Sequence, residues 1–373
     1  MRQALLRVHR WAGLIAGVYV LVISITGAAL VFRIDLQRAL HPHLFTALAA
    51  GALADPVTIM ESVSRAYPGH NLSGVDAPTT ARPTYLAYVT TPGQFATVLI
   101  DPVSAEVLGE LPENSVVRSL QDLHYDLLAG RTGRTVNGAG AAAILVMAIT
   151  GVCIWWPGVK TWRRAMTIDF SRRGHWFWWE MHRAIGIWSV LLILMWAITG
   201  MYFAFPSFAR SLITSVSPLT PNRAPASSAS MARATAPSWR EMIAIAQREH
   251  PGGHVARVVL PFGDRGAFLV MFADRSPTPA FAQLDSVYLD RLSGARLRTD
   301  LTPPTIGDTI VRSIAPLHVG SFGGLPIRMI WFAFGLMPAV LFGTGVVVWW
   351  NRQRLLAPPP AGRDVLKGFV KLD

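Results

Sequence analysis

Charged residues are scarce in this chain of 373 residues, where Asp, Glu, Lys and Arg together make up 15%. A soluble domain usually carries about 25%. Hydrophobic residues account for 51% of the chain, and four apolar stretches are long enough to cross a bilayer as helices of about 20 residues. These stretches are residues 11–32, 138–156, 181–205 and 327–350. The composition therefore predicts a membrane protein rather than a soluble one.

Sulfur ligands and dinucleotide motifs are also missing. The single cysteine, Cys153, can form no intramolecular disulfide and supplies no cysteine-based metal or iron–sulfur motif. No Gly-x-Gly-x-x-Gly follows a predicted strand, so no flavin or nicotinamide site is expected. No Cys-x-x-Cys-His occurs, which excludes covalently attached haem of the c type.

The net charge of +12 follows the expected membrane topology. Basic residues gather before the first stretch (2–10), between the second and third (160–173) and after the fourth (352–371). By the positive-inside rule, these segments and both termini face the cytoplasm of a bacterial inner membrane. No basic patch with interleaved aromatic residues is found, so the expected surroundings are membrane lipids and no nucleic acid.

The predicted fold class is a membrane α-helical protein, a four-transmembrane-helix bundle built from a tandem repeat, with two small α+β periplasmic domains. Each outer domain is expected to be one helix on a small antiparallel sheet, with helices at 56–67 and 238–250. The predicted strands are 84–90, 96–101 and 106–109 in the first domain and 254–260, 267–273 and 287–290 in the second. The predicted segments are span 1–33, outer domain 34–137, span 138–157, cytoplasmic loop 158–177, span 178–205, outer domain 206–326 with a flexible linker at 215–237, span 327–351 and cytoplasmic tail 352–373.

Four histidines lie at duplicated positions. His9 and His182 each precede a glycine by four residues (Gly13 and Gly186) and the threonine of an Ile-Thr-Gly by 17 residues. A second duplicated pair, His124 and His318, shares a different set of offsets. Each of these two has an arginine ten residues later (Arg134 and Arg328), Thr-Gly at +26 and Trp-Trp at +31.

The topology sorts these histidines by side of the membrane, with His9 and His182 inside and His124 and His318 outside. About 31 helical residues would overshoot the bilayer, so the outer two are expected on short helices that precede their spans. A histidine near a span needs a partner, and a lone one often caps a helix or lies among headgroups. Four at duplicated offsets instead suggest two pairs of facing ligands.

Two facing neutral imidazoles are the ligand set of a six-coordinate haem b, and helix bundles build such sites from facing helices. The pairs therefore predict two haem b groups, with iron held by His9 and His182 and by His124 and His318. Gly13 and Gly186 would leave room for the flat macrocycle. Arg134 and Arg328 would pair with the haem propionates, and Arg10 and Arg183 would do so inside or else anchor the topology. Zinc or copper would need three or four ligands.

The His-Arg-x-x-Gly helix openings, the Ile-Thr-Gly within the spans and the helix-plus-sheet modules resemble the PepSY-associated transmembrane family. That family includes bacterial inner-membrane reductases of ferric siderophores. The resemblance implies a ferric-chelate reductase that passes electrons outward to a periplasmic ferric siderophore and releases the iron. The electron donor would be a separate cytoplasmic reductase, a reduced flavin or a quinol.

Three other functions compete with this one. The protein could be an electron-transfer subunit for a different acceptor, or a non-enzymatic PepSY binding or regulatory module anchored by its spans. A transporter is disfavoured, because no acidic residue is expected inside a span to couple ions. His175 is expected at the membrane interface, and the pairs His41 with His43 and His250 with His254 are expected to be solvated rather than metal-bound.

Overall fold

The structure, a computed structural model, describes residues 2–46, 51–221, 224–227, 236–279, 282, 284–300 and 305–356. In this part of the chain the helices are α1 (Arg2–Leu30), α2 (Arg33–Leu40), α3 (Pro56–Ala66), α4 (Val116–Asp126), α5 (Gly130–Trp155), α6 (Trp162–Ala165), α7 (His175–Ala204), α8 (Pro206–Thr214), α9 (Trp239–Glu249), α10 (Ile306–Val319), α11 (Gly324–Gly335) and α12 (Met337–Leu356). The strands are β1 (Asn71–Asp76), β2 (Tyr85–Thr91), β3 (Gln94–Ile100), β4 (Val107–Glu110), β5 (His254–Val259), β6 (Phe268–Ala273), β7 (Asp285–Leu289) and β8 (Arg296–Asp300).

Within the described residues, four segments are long and apolar enough to cross a membrane. They are α1, α5, α7 and the stretch Gly324–Arg354, which contains α11 and most of α12. A helix satisfies its backbone N–H and C=O groups internally, as the hydrocarbon core requires. The four segments match the four predicted ones, and the chain is a membrane protein with a helical membrane part.

The structure divides the chain into two compact units. Among the described residues, the first unit comprises 2–25, 139–198 and 334–356, and the second comprises 26–138 and 199–333 with their gaps. The first unit is helical. The second contains the whole sheet, the helices packed on it, and the two short helices α4 and α10.

Helix α7 begins at His175, three residues before the predicted span 178–205, whereas α1 begins at Arg2, within the predicted span 1–33. Each of the two helices thus begins seven residues before its duplicated histidine. The longer α7 includes Glu180, which corrects the expectation that no acidic residue lies in a span. Glu180 is buried, accepts a hydrogen bond from the Asp169 N–H (2.9 Å) and pairs with Arg172 (3.5 Å). These partners offset the cost of burying its charge.

All eight strands form one antiparallel sheet in the order β4-β3-β2-β1-β5-β6-β7-β8. The prediction of two separate small sheets is therefore corrected. Strand β1 pairs with β5 through Gly74, Val75 and Asp76, so the two four-stranded halves share their inner edges. An isolated half would leave a row of unpaired backbone N–H and C=O groups at that edge.

Helices α3 and α9 cover one face of the sheet and supply its hydrophobic core. The buried side chains of α3 (Ile59, Met60 and Val63) and of α9 (Met242 and Ala246) pack against the inward-facing strand residues. Both helices have strong N-terminal signals. The Asp55 side chain caps α3 just before a proline, and Ser238 with Glu241 forms a capping box at α9.

A polar cluster around the buried Asp76 joins the two halves where β1 meets β5. Asp76 accepts hydrogen bonds from both Nε (2.5 Å) and Nη2 (2.6 Å) of Arg257, its cross-strand neighbour, and from the Tyr88 hydroxyl (2.9 Å). Burial, with the Asp76 charge beside it, raises the pKa of Tyr88 to about 12. Tyr88 therefore stays a hydrogen-bond donor, and the Asp76 carboxylate has three charge-satisfying contacts.

The predicted linker at 215–237 is partly attached to the second unit. Its residues 222–223 and 228–235 lie outside the described part. Thr220 donates from its N–H and hydroxyl to Asp308 (3.0 and 2.7 Å), and Ser217 accepts from the Gly307 N–H (2.9 Å). Buried Ser227 donates to Gly266 O (3.0 Å). The described linker residues thus bind the start of α10 and the sheet. The predicted tail also lies outside the description from residue 357.

The cluster at the β1–β5 junction gives the first testable prediction. Replacing Asp76 with alanine removes three hydrogen bonds and leaves Arg257 without its carboxylate, so the unfolding free energy is expected to fall by about 1–3 kcal/mol. Thermal unfolding of the purified protein in one detergent measures it. Arg240→Ala is the matched control. It removes an exposed pair with Asp55 and should cost about 0.5 kcal/mol or less. Equal losses in the two variants would contradict the role of the junction.

Candidate functional site

The first duplicated pair, His9 and His182, lies in the first unit on α1 and α7. The two ring centroids are 6.3 Å apart and the ring planes are inclined by 84°. Each histidine is the eighth residue of its helix, and both side chains are partly buried. The structure thus brings together two residues that are 173 positions apart in the sequence.

Each of these two rings contacts a threonine from another helix. The Nδ1 atom of His9 is 3.1 Å from the Thr150 hydroxyl on α5, and that of His182 is 3.0 Å from the Thr344 hydroxyl on α12. Both hydroxyls also donate to the backbone of their own helix, at 2.7 Å for Thr150 and 2.9 Å for Thr344. Because a hydroxyl has one proton, each threonine oxygen accepts from Nδ1–H. Metal coordination would therefore fall to Nε2.

The second pair, His124 and His318, has the same construction in the second unit. Its ring centroids are also 6.3 Å apart, with the planes inclined by 57°. Nδ1 of His124 is 3.0 Å from the Thr26 hydroxyl, and Nδ1 of His318 is 2.7 Å from the Thr199 hydroxyl. Both histidines lie on short helices, α4 and α10, as the sequence predicts.

Local sequence signals position these short helices. Ser115 caps α4, and Thr305 with Asp308 forms a capping box at α10. Asn137 donates from its amide to the backbone oxygens of His124 (2.7 Å) and Tyr125 (3.1 Å), which fixes the end of α4 against α5. Similarly, Trp331 of α11 donates to Leu317 O (2.7 Å), directly before His318.

The electrostatics of the second pair favour neutral imidazole. Burial, together with the neighbouring His124, lowers the pKa of His318 to about 3. A metal-ligating histidine must be neutral. His318 is therefore in the protonation state that coordination requires throughout the physiological pH range.

The spacing of both pairs fits one metal ion between two imidazoles. An imidazole nitrogen lies about 2.0–2.1 Å from its metal and about 1.1 Å from its ring centroid, so two imidazoles that share a metal have centroids at most roughly 6.2–6.4 Å apart. The observed separation is 6.3 Å in both pairs. Among the described residues no group of three or more His, Cys, Asp or Glu side chains could hold a metal. The donor set therefore fits an axial pair of a haem better than a bare ion.

Glycines beside the threonines bring the helix backbone close to the rings. A Cβ atom on Gly27 would lie 2.8 Å from Cε1 of His124. At Gly151 and Gly345 the corresponding distances are 3.2 Å to His9 and 3.3 Å to His182. Sequence reasoning used these Thr-Gly dipeptides only as landmarks of the repeat and did not assign them to the site. Their recurrence at fixed offsets from the histidines was the available signal.

The two glycines predicted to leave room for the macrocycle, Gly13 and Gly186, lie in more open surroundings. Built Cβ atoms at Gly13 and Gly186 would have their nearest neighbours at 3.9 Å (Met147) and 3.7 Å (Leu341), which is ordinary van der Waals contact. Space for a flat group thus exists beside both residues. Their role in haem binding stays a prediction.

The two arginines predicted to bind propionates are not in equivalent environments. Arg134 is exposed near the start of α5. Arg328 is half-buried, forms an ion pair with Asp35, donates to Val31 O (3.3 Å) and stacks on Phe32 at 4.6 Å. Binding a propionate at Arg328 would require Asp35 to share the guanidinium, so only Arg134 is exposed for such a role.

Arginines beside the first pair carry polar atoms without partners. Nε of Arg10 and Nε of Arg183 are both buried and have no hydrogen-bond acceptor. Arg10 stacks on Trp11 at 5.5 Å, and Arg183 on Trp179 at 4.7 Å. A buried N–H without an acceptor is costly. The environment therefore favours an additional acceptor, such as a carboxylate, beside this pair.

The other histidines do not form a comparable site. His41 and His43 also have ring centroids 6.4 Å apart, but both come from the single turn after α2 rather than from two facing helices, and His43 is exposed. His250 corrects the expectation that it is solvated, because it is partly buried, binds Asp285 at 2.6 Å and stacks on Phe272. His175 begins α7 and contacts Trp176.

Comparison with known proteins supports the resemblance noted in the sequence. Residues 6–352 match the family described as the PepSY-associated TM region. No curated protein is significantly similar to the chain. The family match covers both histidine pairs, all four spans and the sheet.

The close approach of Gly27 and Gly151 to the rings can be tested by adding one methyl group. Gly27→Ala is expected to displace His124 and lower haem retention at the second pair only, whereas Gly151→Ala should affect the first pair only. The expected loss is about tenfold in affinity, as for other changes behind a ligand. Haem content by pyridine haemochrome and resolved redox titration measure it, and each variant controls the other. Loss at both pairs in either variant would contradict this assignment.

Proposed function

Because the chain belongs to the family of PepSY-associated TM regions, we propose that it is a membrane oxidoreductase with one haem b at each histidine pair. The observation that carries this proposal is the identical construction of the pairs. Each has ring centroids 6.3 Å apart, and each ring has its Nδ1 atom against a threonine hydroxyl. A capping or headgroup role for the histidines would not require this repeated geometry.

His9 and His182 would hold one group, and His124 and His318 the other. When bound, haem supplies reversible one-electron chemistry. With two histidines holding each group, no coordination site would remain for oxygen or substrate. The residues around the pairs therefore have to bind, orient and shield the groups rather than activate a substrate on them. This favours electron transfer over oxygen chemistry.

The distribution of charge supports an orientation for this activity. Basic residues flank the ends of the spans that carry His9 and His182, and His124 and His318 precede their spans on the opposite side in the chain topology. By the positive-inside rule the first pair lies toward the cytoplasm and the second toward the periplasm of a bacterial inner membrane. Both termini would then be cytoplasmic.

We also propose that the chain arose as a tandem repeat. Each half would have a histidine-bearing span, a helix with four strands, a short histidine-bearing helix and a second span. Equal spacings support this. The order α3, β1, β2, β3, β4, α4 is followed later by α9, β5, β6, β7, β8, α10, and the junction lies where β1 meets β5.

The proposed acceptor is a ferric siderophore on the periplasmic side. One electron reduces Fe(III) to Fe(II), which binds less tightly to the hard oxygen donors of such a chelate, and the iron is released. The donor would be a cytoplasmic reductase, a reduced flavin or a quinol. The acceptor class rests on the family resemblance, while the haem sites rest on the paired histidines.

The decisive experiment is anaerobic stopped-flow reoxidation. Purified protein is expected to be red, with a Soret band and sharp α and β bands after dithionite. Mixing the reduced protein with ferric hydroxamate, catecholate or citrate chelates should reoxidise it and release Fe(II), detected with a ferrous-specific dye. The Ga(III) chelates of the same ligands are the control, because they have similar shape and cannot be reduced. Haem that is reoxidised by none of the ferric chelates would point to another acceptor, and colourless protein from haem-replete cells would overturn the proposal.

Removal of single ligands separates the two sites. His9→Ala and His124→Ala should each lower the haem content by one group per chain, because the remaining imidazole is a single axial ligand. The losses should fall in different components of a redox titration. His43→Ala, which changes an exposed histidine outside both pairs, is the control. Retention of both groups in both ligand variants would refute the assignment.

A further inference from the structure

We propose that the Thr-Gly dipeptides of the four spans position the paired histidines. The threonine fixes the orientation of each ring, and the glycine leaves space for the ring edge beside the helix backbone. This inference rests on the proposed haem function. It assigns a role to Thr26, Thr150, Thr199 and Thr344, all of which are buried. None of them coordinates a metal, so they are positioning residues that act through the histidines.

The hydrogen bonds define one tautomer of the imidazole. The hydroxyl proton of Thr150 is directed to Val146 O at 2.7 Å, and that of Thr344 to Val340 O at 2.9 Å. The same oxygens can therefore only accept from the histidines, which puts a proton on Nδ1 and the lone pair on Nε2. A metal-ligating histidine usually donates its other ring N–H to such an acceptor, and this fixes the ring and raises its basicity.

The glycines explain why the threonines can come so close to the histidine rings. At Gly27, Gly151 and Gly345 the ring Cε1 atom of the adjacent histidine lies where a side chain would begin, 2.8–3.3 Å from a built Cβ. Any larger residue would displace the ring or the helix. The two residues of the dipeptide thus act on neighbouring atoms of the same imidazole, Nδ1 and Cε1.

Each threonine belongs to a different helix from the histidine that it contacts. Within the first pair, α5 holds the ring from α1 and α12 holds the ring from α7. Within the second, α1 holds the ring from α4 and α7 holds the ring from α10. The orientation of each ring therefore depends on how two helices pack. A contact within one helix would not couple the ring to that packing.

Replacement of threonine by valine tests the hydrogen bond with little change of volume. Without the hydroxyl, the His9 ring N–H keeps, among the described residues, only the Met147 backbone oxygen as an acceptor, so the imidazole becomes a weaker donor, which disfavours Fe(III) relative to Fe(II). Thr150→Val is expected to shift that preference by about tenfold, so the midpoint potential of one haem should rise by about 59 mV. Thr150→Ser keeps the hydroxyl and should restore the potential. Thr26→Val should raise the potential of the other haem instead.

A matched control removes a threonine hydroxyl that contacts no histidine. Thr135 on α5 is exposed and donates to Arg131 O at 3.2 Å, so Thr135→Val should leave both potentials unchanged. The low-spin electron paramagnetic resonance signal of the affected haem should change in Thr150→Val and Thr26→Val. Unchanged potentials and signals in both variants, with both haems still bound, would overturn this inference alone.

A second measurement does not depend on haem. Nitrogen-15 solid-state NMR of histidine-labelled protein is expected to show the Nδ1-protonated tautomer for the paired histidines, with a shift of one ring toward mixed tautomers in Thr150→Val. Nε2-protonated rings in the wild type would overturn the inference. A wild type that lacks haem but shows the Nδ1-protonated rings would overturn the proposed function while supporting the positioning role.

Discussion

The constraint on which this structure depends is that an imidazole buried among packed helices must have its ring N–H satisfied. Water is scarce there, and an unpaired polar group is costly. The protein meets this requirement with threonine hydroxyls, and those of Thr150 and Thr344 are already bonded to their own helices. In the first pair the ring nitrogens therefore have definite roles before any metal binds, and in both pairs the threonines tie the helices to one another.

The sheet likewise satisfies polar groups that would otherwise be left unpaired. Strands β1 and β5 would be vulnerable edges if the two halves were separate, and their pairing removes both edges. Asp76 and Arg257 lie directly opposite each other in that pair, so opposite charges mark the register. The polar cluster helps to join the two halves in one register, because a shifted register would bury the Asp76 carboxylate without the Arg257 guanidinium.

Local patterns in the sequence were sufficient to predict the spans, α3, α9 and the short helices that carry His124 and His318. They failed for β1 and β8. Strand β1 contains Asn, Ser, Gly and Asp, which have low strand propensity, and β8 is a charged edge strand. Their identity depends on pairing with distant segments. The same reason hid the threonines, since Thr150 contacts a histidine 141 positions away. Repetition revealed the histidines because it needs no knowledge of contacts.

Helices α1 and α7 each contribute a histidine to one pair and a threonine to the other, 17 residues along. At about 100° per residue, that interval fixes the angle between the two side chains around the helix axis at roughly 100°. A single inserted residue would turn one of them by a further 100° or so, whatever its chemistry. The function of these two helices therefore depends on the spacing of the histidine and the threonine as well as on their identity. A point substitution on the exposed side of either helix leaves this angle unchanged, whereas an insertion or deletion between the two positions changes it.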